Sequence, residues 1–177
     1  MASNKWKLDP AHSELLFKVK HLMITNVKGE FRSFDATVES DGDSFDGARV
    51  ELTANTSSIF TNNDDRDKHL RSADFFDVEE FPEMTFKSSE MTRLDEGTYR
   101  LKGQLTIKGV SNDIVLDAEF GGVMKDPYGN EKAGFSLSGK INRKEWGLNW
   151  NAALETGGVL VSDDVRLAAE VQFTRVQ

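Results

Sequence analysis

The segment Thr98–Ile107, with the sequence TYRLKGQLTI, has an apolar or small residue at every second position. One face of the strand that it predicts carries Tyr99, Leu101, Gly103, Leu105 and Ile107. The other face carries Arg100, Lys102 and Gln104. A period of two over this length indicates a long β-strand with one buried face and one face in water.

The same alternation recurs from one end of the chain to the other. It is seen at Leu15, Phe17, Val19 and His21; at Ile114, Leu116, Ala118 and Phe120; at Ala133, Phe135, Leu137, Gly139 and Ile141; and at Val165, Leu167, Ala169, Val171 and Phe173. Segments rich in Gly, Asn and Asp, such as Asp126–Asn130, separate these runs and predict hairpin turns. We therefore expect about eight antiparallel strands, most of them paired with their neighbours in sequence.

One segment is helical in character. Residues 63–72 begin with Asn and Asp, which are favourable helix caps, and predict one short surface helix. About eight strands with one apolar face form either a sandwich or a closed barrel, and strands of nearly ten residues favour the barrel. We expect one all-β domain over residues 1–177, an extended antiparallel eight-stranded β-barrel.

Composition excludes several classes of function. The 22 Lys and Arg against 30 Asp and Glu leave a net charge of −8, which disfavours nucleic acid as a partner. The absence of Cys excludes disulfides, thiol catalysis and cysteine-bound metals. The sequence has no phosphate-binding loop, nucleophile elbow or zinc-helix motif, and its three His lie far apart. We expect no catalytic residue, no metal and no cofactor.

The sequence gives a provisional view of localisation. No apolar run approaches the about 18 residues of a membrane-spanning helix, so we expect no membrane span. The first residues contain no secretory signal. We expect a cytoplasmic protein, or a periplasmic or secreted one if a signal peptide has been removed.

Two glycines interrupt the inward-facing rows. Gly103 and Gly139 would leave volume beneath the strand, either for a ligand in the barrel lumen or for a close contact or bend of the sheet. Both interpretations are open at this level.

Some polar and aromatic residues are candidates for a binding site. His21 continues the apolar face of its strand and would either bond a ligand's polar head or a neighbouring side chain. Arg66, Asp67 and His69 could perform acid–base chemistry or fix a loop. Phe75 and Phe76, outside any predicted strand, would form a plug or a gate at one end of the barrel. Trp146 and Trp150 would cap either the core or a bound lipid.

An ordered set of motifs resembles the YceI-like, polyisoprenoid-binding family. The set comprises Trp6-x-Leu-Asp-x-x-His12-Ser13, Phe17-x-Val-x-His21, Gly29-x-Phe31, Ser58-Ile59-x-Thr61, Arg66-Asp67-x-His69-Leu70, Asp74-Phe75-Phe76-Asp77, Phe81-Pro82-x-x-x-Phe86, Gly103-x-Leu-Thr-Ile-x-Gly109 and Arg143-x-x-Trp146-Gly147. The resemblance runs from Trp6 to near the C-terminus. It implies a lipocalin-like barrel whose lumen holds a long isoprenoid chain.

From strand parity and this resemblance we expect a ligand-binding lumen. Its predicted lining is Phe17, Val19, His21, Phe31, Phe34, Arg66, His69, Phe75, Phe76, Leu101, Gly103, Leu105, Ile107, Leu116, Phe120, Phe135, Leu137, Gly139, Trp146, Val165 and Leu167. The predicted partner is a long-chain isoprenoid lipid, either a polyisoprenoid or an isoprenoid quinone, that is bound, stored or carried without chemistry. Members of the family are commonly dimers, and exposed aromatic residues permit a homodimer here.

Two other functions stay open at the level of sequence. The first is an enzyme that acts on an isoprenoid lipid through Arg66, Asp67 and His69. The second is a barrel with a filled core that binds a partner, or acts in a stress response, through its acidic outer surface.

Overall fold

The computed structural model describes residues 3–151 and 160–177; Met1 and Ala2, part of the segment searched for a signal, lie outside them. The strands are β1 (Ser3–Leu8), β2 (Glu14–His21), β3 (Thr25–Phe31), β4 (Phe34–Asp41), β5 (Ser44–Asn55), β6 (Ile59–Phe60), β7 (Glu83–Asp95), β8 (Thr98–Ile107), β9 (Val110–Lys125), β10 (Glu131–Asn142) and β11 (Val161–Arg175). The α-helix α1 is Asp64–Arg71, and single 3₁₀ turns lie at Pro10–His12, Thr56–Ser58 and Arg143–Trp146.

The strands form a closed antiparallel barrel. The order β1-β4-β5-β7-β8-β9-β10-β11 returns to its start because β11 pairs with β1, with Leu8 opposite Phe173. Closure removes the exposed edges that an open sheet of this size would present. The predicted eight-stranded β-barrel is confirmed.

The three additional strands are continuations of strands in the barrel wall. β11 pairs with β1 near its C-terminal end and with β2 along its N-terminal half, because the turn at Pro10–His12 bends one long strand in two. In the same way β4 and β3 form one bent strand, as do β5 and β6. The wall is therefore an eight-stranded meander.

Helix α1 lies where the wall is incomplete. β6 pairs with β3, whereas β7 pairs with β5, so α1 and the segment after it cover the opening beside β6. The Asn63 side chain caps the helix by accepting a hydrogen bond from the Arg66 N–H at 3.0 Å. The short helix predicted over residues 63–72 is confirmed. Within the described ranges, no helix is both long and apolar enough to cross a bilayer.

An aromatic cluster fills the barrel at the end opposite α1. The cluster consists of Trp6, Phe45, Tyr99, Phe120, Phe135 and Phe173, with ring centroids 5.0–6.4 Å apart. Phe45 is 2% exposed, so water is excluded from this end of the lumen. Side chains therefore fill this end of the barrel.

The inward glycines make room for side chains of the protein. A Cβ on Gly103 would lie 2.5 Å from the carbonyl oxygen of Lys87 and 2.6 Å from Cζ of Phe86. A Cβ on Gly139 would lie 2.5 Å from Cδ2 of Leu116. All three distances are too short for a real contact, so the interpretation of these glycines as empty volume for a ligand is wrong, and the alternative of a close contact holds.

Candidate ligand cavity in the barrel

A cavity of about 520 Å³ occupies the barrel between the aromatic cluster and α1. This volume lies within the range of about 300–1,000 Å³ that is usual for small-molecule sites. Almost all of the lining side chains are aliphatic or aromatic. The few polar ones, Ser138 apart, lie at the end of the barrel that carries α1. An apolar lumen with its polar groups at one end suits an apolar chain with a polar head.

Most of the residues expected at the ligand do line this cavity. They are Phe17, Val19, His21, Phe31, Arg66, His69, Phe75, Phe76, Leu101, Leu105, Ile107, Leu116, Phe135, Leu137, Val165 and Leu167. They lie on β2, β3, β8, β9, β10 and β11, on α1, and on the segment that follows α1. Strand parity alone thus brings together side chains from six strands.

Five residues that the sequence placed at the ligand lie outside the cavity lining: Phe34, Gly103, Phe120, Gly139 and Trp146. Phe34 packs against the hydrophobic core and borders a separate surface depression beside β4 and β5. Phe120 belongs to the aromatic cluster, with its ring 5.0 Å from that of Phe135. Gly103 and Gly139 are covered by Phe86 and Leu116. Trp146 is 1% exposed and donates its indole N–H to the Leu105 carbonyl at 2.8 Å, so it caps the core.

The wall formed by β4, β5 and β7 was missed by sequence reasoning. It contributes Ala36, Val38, Val50, Leu52, Met84, Phe86 and Met91. On β7 the residues that face inward have even numbers before Ser88 and odd numbers after it. The change occurs because a bulge between Ser88 and Glu90 shifts the register against β8. The alternation of Met84 and Phe86 was a usable signal, but Met91 could not be assigned by counting.

The mouth of the cavity is its opening at the end of the barrel that carries α1. It is formed by α1 and by the ends of β2, β10 and β11. His21 is opposite Val161 in the β2–β11 ladder, and the Val161 carbonyl accepts a hydrogen bond from Arg143. Arg143 also donates to the Trp150 carbonyl at 2.9 Å. The Trp150 ring contacts that of His69 on α1, with a centroid distance of 4.6 Å. These contacts place His21, Arg143 and His69 around one opening.

Arg143 is a buried cation that organises this mouth. Its side chain is 4% exposed, and it donates to the carbonyls of Ser162 at 2.9 Å and Leu148 at 2.6 Å as well. Burial lowers the pKa of Arg143, while Asp163, 4.0 Å away, opposes that shift. Arginine stays charged regardless, so its charge is compensated mainly by carbonyl oxygens. Arg143 thereby ties the loop after β10 to the start of β11.

The residues considered for acid–base chemistry are held by structural hydrogen bonds: Asp67 and Arg66 both bond Thr61, and His69 bonds Asp74. Asp67 is 5% exposed and accepts a hydrogen bond from the Thr61 N–H at 2.9 Å. Arg66 donates to the Thr61 hydroxyl at 2.7 Å. His69 bonds Asp74 through Nε2 at 2.9 Å. His69 bonds Asp74 and not Asp67 or Thr61, so these residues do not form a catalytic triad. Asp67 and Arg66 instead fix α1 to the chain that follows β6.

Phe75 and Phe76 cover the inner end of the mouth. Phe75 is 7% exposed and packs against His69 and Trp150, with centroid distances of 5.2 and 5.6 Å. Phe76 packs edge-on against Phe31 at 5.6 Å. Both rings line the cavity, so their movement would change access to it.

His21 differs from the other polar residues at the mouth. Its side chain forms no hydrogen bond with any other residue in the described part of the chain. Its ring therefore keeps both nitrogens available to a ligand. In the same part of the chain, no group of three or more His, Asp or Glu could hold a metal ion.

Comparison with known proteins agrees with this architecture. A UPF0312 protein of Staphylococcus aureus is 44% identical over 167 residues, covering 94% of this chain and 95% of its own length. The Campylobacter jejuni YCEI protein is 40% identical and superposes with a TM-score of 0.78, covering 89% of this chain and 90% of that one. A polyisoprenoid binding domain from Saccharophagus degradans, 16% identical, covers 96% of this chain and 97% of its own with a TM-score of 0.66, and shares the fold.

The family model described as YceI-like domain matches residues 6–173, from the first strand of the barrel to the last. With both the family model and relatives above 40% identity extending over nearly the whole sequence, the chain belongs to the YceI-like family.

Proposed function

We propose that this protein binds an isoprenoid lipid in its barrel and stores or carries it without changing it chemically. The observation that carries the proposal is the cavity itself, a volume of about 520 Å³ that is apolar inside and polar at its mouth. Each buried methylene group contributes about 0.8 kcal/mol, so a lining without specific polar contacts is sufficient for tight binding of a long tail. The polyisoprenoid binding domain from Saccharophagus degradans, which has the same fold, supports this class of ligand.

The cavity volume also bears on the length of the tail. A cavity of about 520 Å³ encloses only a limited number of isoprene units. A longer tail requires side chains to move or leaves its last units in the mouth. The proposal covers both a polyisoprenol and an isoprenoid quinone, since the two share the same tail.

The head of the lipid would lie at the mouth beside His21. Arg66 and His69 also line the cavity, but their hydrogen bonds to Thr61 and Asp74 leave fewer donors for a ligand. His21 would donate to or accept from the head group, depending on its tautomer. Phe75 and Phe76 would then act as a gate that closes over the tail.

A titration with isoprenoid quinones of increasing tail length tests the proposal. Trp150 lines the cavity, so quinone binding quenches its fluorescence, and Trp150→Phe removes the responding signal. The affinity is expected to rise at least tenfold for each added isoprene unit until the cavity is full. Equal affinity for a quinone without a tail would contradict the proposal. Recovery of the lipid unchanged after incubation is expected for a carrier, and a new product would support the enzymatic alternative.

A further inference from the structure

The turn between β2 and β3 exposes three large aliphatic side chains in succession. Leu22 is 37% exposed, Met23 is 54% exposed and Ile24 is 79% exposed. Such a cluster at the tip of a hairpin is unusual, because water-exposed turns mostly carry Asn, Asp and Gly. The turn begins directly after His21, so this tip lies beside the mouth of the cavity.

The backbone of this turn makes its composition more unusual. Leu22 and Met23 have φ values of 55° and 60°, and Ile24 N–H donates to the His21 carbonyl. Two successive positive φ angles define a type I′ turn, for which Asn-Gly is the favoured pair. Leucine and methionine are strained there. Folding stability therefore favours other residues at the tip, and the aliphatic side chains need a different explanation.

A row of cations crosses the outer wall next to the tip. In the strand ladders, Lys140 lies opposite Arg166, Arg166 lies opposite Lys18, and Lys18 lies opposite Lys28. Four positive residues therefore lie side by side on β10, β11, β2 and β3. With adjacent strands about 4.8 Å apart, this cationic row is roughly 14 Å long. Like charges directly opposite each other destabilise a sheet. The cationic row therefore lowers the stability of the fold, as do the strained residues Leu22 and Met23 at the tip.

The charges of the row are poorly compensated within the protein. Lys140 pairs with Asp164 at 3.5 Å, but Lys18, Lys28 and Arg166 form no ion pair with other residues of the described ranges. All four side chains are exposed on a chain whose net charge is −8. Asp64 and Asp65 of α1 lie at the same end of the barrel. The positive charge at this end is therefore confined to the wall formed by β10, β11, β2 and β3. This wall therefore complements a negative surface.

We propose that the tip Leu22–Ile24 and the cationic row dock the barrel on an anionic lipid bilayer. Lys18 is four residues from Leu22, or about 13 Å along the strand. That separation allows the aliphatic tip to enter the acyl boundary while the cations meet the head groups. The mouth beside His21 then faces the bilayer, and lipid passes between the two. Only this last step rests on the proposed function, because docking itself requires no ligand in the cavity.

Flotation with vesicles of phosphatidylcholine, alone or with phosphatidylglycerol, tests the docking. The protein is expected to float with the anionic vesicles, and added salt is expected to release it. Each cation near such a surface contributes about a factor of five, so Lys18→Gln/Lys28→Gln should weaken binding about 25-fold. The matched control Lys5→Gln/Lys102→Gln removes two exposed cations elsewhere and should bind as the wild type does.

The tip is tested by a variant that separates stability from binding. Leu22→Asn/Met23→Gly supplies the favoured turn residues, so its melting temperature should rise while its binding to anionic vesicles falls at least tenfold. Val123→Ser/Met124→Ser, which removes exposed aliphatic residues at the start of the β9–β10 turn, is the control and should retain binding.

Three outcomes would overturn the proposal. They are equal flotation of wild type and tip variant, equal flotation with neutral and anionic vesicles, and a wild-type dimer in analytical ultracentrifugation that the tip variant converts to monomer. The last result would assign the tip to contact with a second copy. Quinone uptake from detergent is measured in parallel: its retention by variants that no longer dock separates failure of docking from failure of the proposed function.

Discussion

The ring of Phe86 lies over Gly103, occupying the position that a side chain on β8 would take. A Cβ on Gly103 would also lie 2.5 Å from the backbone carbonyl of Lys87, which β-sheet pairing holds in place. Phe86 in turn lines the cavity. Gly103 therefore allows the Phe86 ring to pack in the wall of the lumen. It does not itself line the space for a ligand.

Gly103→Ala is expected to destabilise the barrel by about 1–3 kcal/mol, because neither the ring nor the carbonyl can move freely. Urea unfolding measures the loss. Gly97→Ala is the control, since its nearest neighbour would be a carbonyl 3.9 Å away and its φ is not positive. Gly97→Ala should leave stability unchanged or raise it slightly. Equal stability of both variants would show that the space above Gly103 is free after all.

Filling the cavity should prevent uptake while preserving the fold. Ala169 lines the cavity and pairs with Leu15 and Leu137, so Ala169→Phe places a ring in the lumen. Quinone affinity should fall at least tenfold, while the melting temperature stays the same or rises. Val115→Phe adds the same ring to the outer face of β9, where Val115 is 50% exposed, and should bind normally. Unchanged affinity of Ala169→Phe would place the ligand elsewhere.

Replacing Arg143 should loosen the mouth. Arg143→Lys keeps the charge but loses the planar set of donors that reaches the carbonyls of Leu148, Trp150 and Ser162. A loss of about 3 kcal/mol in stability is expected from the buried carbonyls left without a partner. Quinone release, followed by stopped-flow fluorescence, should become faster. Lys144→Gln, which removes an exposed ion pair with Asp163, should change neither quantity.

Acid should weaken the bend between β1 and β2. Hydrogen bonds from His12 at 2.9 Å and Lys132 at 3.1 Å lower the pKa of Asp9. A lowered pKa in the folded state stabilises the protein above the unfolded pKa of about 3.9, and this stabilisation is lost as the pH falls through the folded value. Asp9→Asn should therefore be less stable than the wild type at pH 7, and the difference should shrink below about pH 4.

Urea midpoints across this pH range test the effect. Asp113→Asn is the comparison, because Asp113 forms no ion pair or side-chain hydrogen bond within residues 3–151 and 160–177. A difference between wild type and Asp9→Asn that stays constant with pH would contradict the assigned role of Asp9.

The alternation of apolar and polar residues predicts most of the strands, because a strand with one buried face requires an apolar residue at every second position. On β8, Leu101, Leu105 and Ile107 point inward as the alternation requires, and all three line the cavity. Parity fails where a bulge changes the register, so Met91 on β7 could not be assigned. It also says nothing about depth along the barrel: Phe120 points inward as predicted, yet it lies in the aromatic cluster above the cavity.

The mouth was harder to predict because its contacts join distant parts of the chain. His69 and Trp150 are 81 residues apart in the sequence and contact each other only in the folded barrel, and Arg143 reaches Val161 across 18 residues. Glycine was misread for a similar reason. The sequence identifies Gly103 as a position that needs space, but only the fold shows that Phe86 takes it.

Native mass spectrometry of the purified protein, followed by solvent extraction and lipid identification on the same sample, shows whether the barrel holds a lipid. We expect a mass above that of the 19.8 kDa chain by one isoprenoid lipid, and we expect Ala169→Phe to lose this additional mass. A mass without ligand, together with no uptake of added quinone or polyprenol, would contradict the claim that the barrel is a lipid carrier.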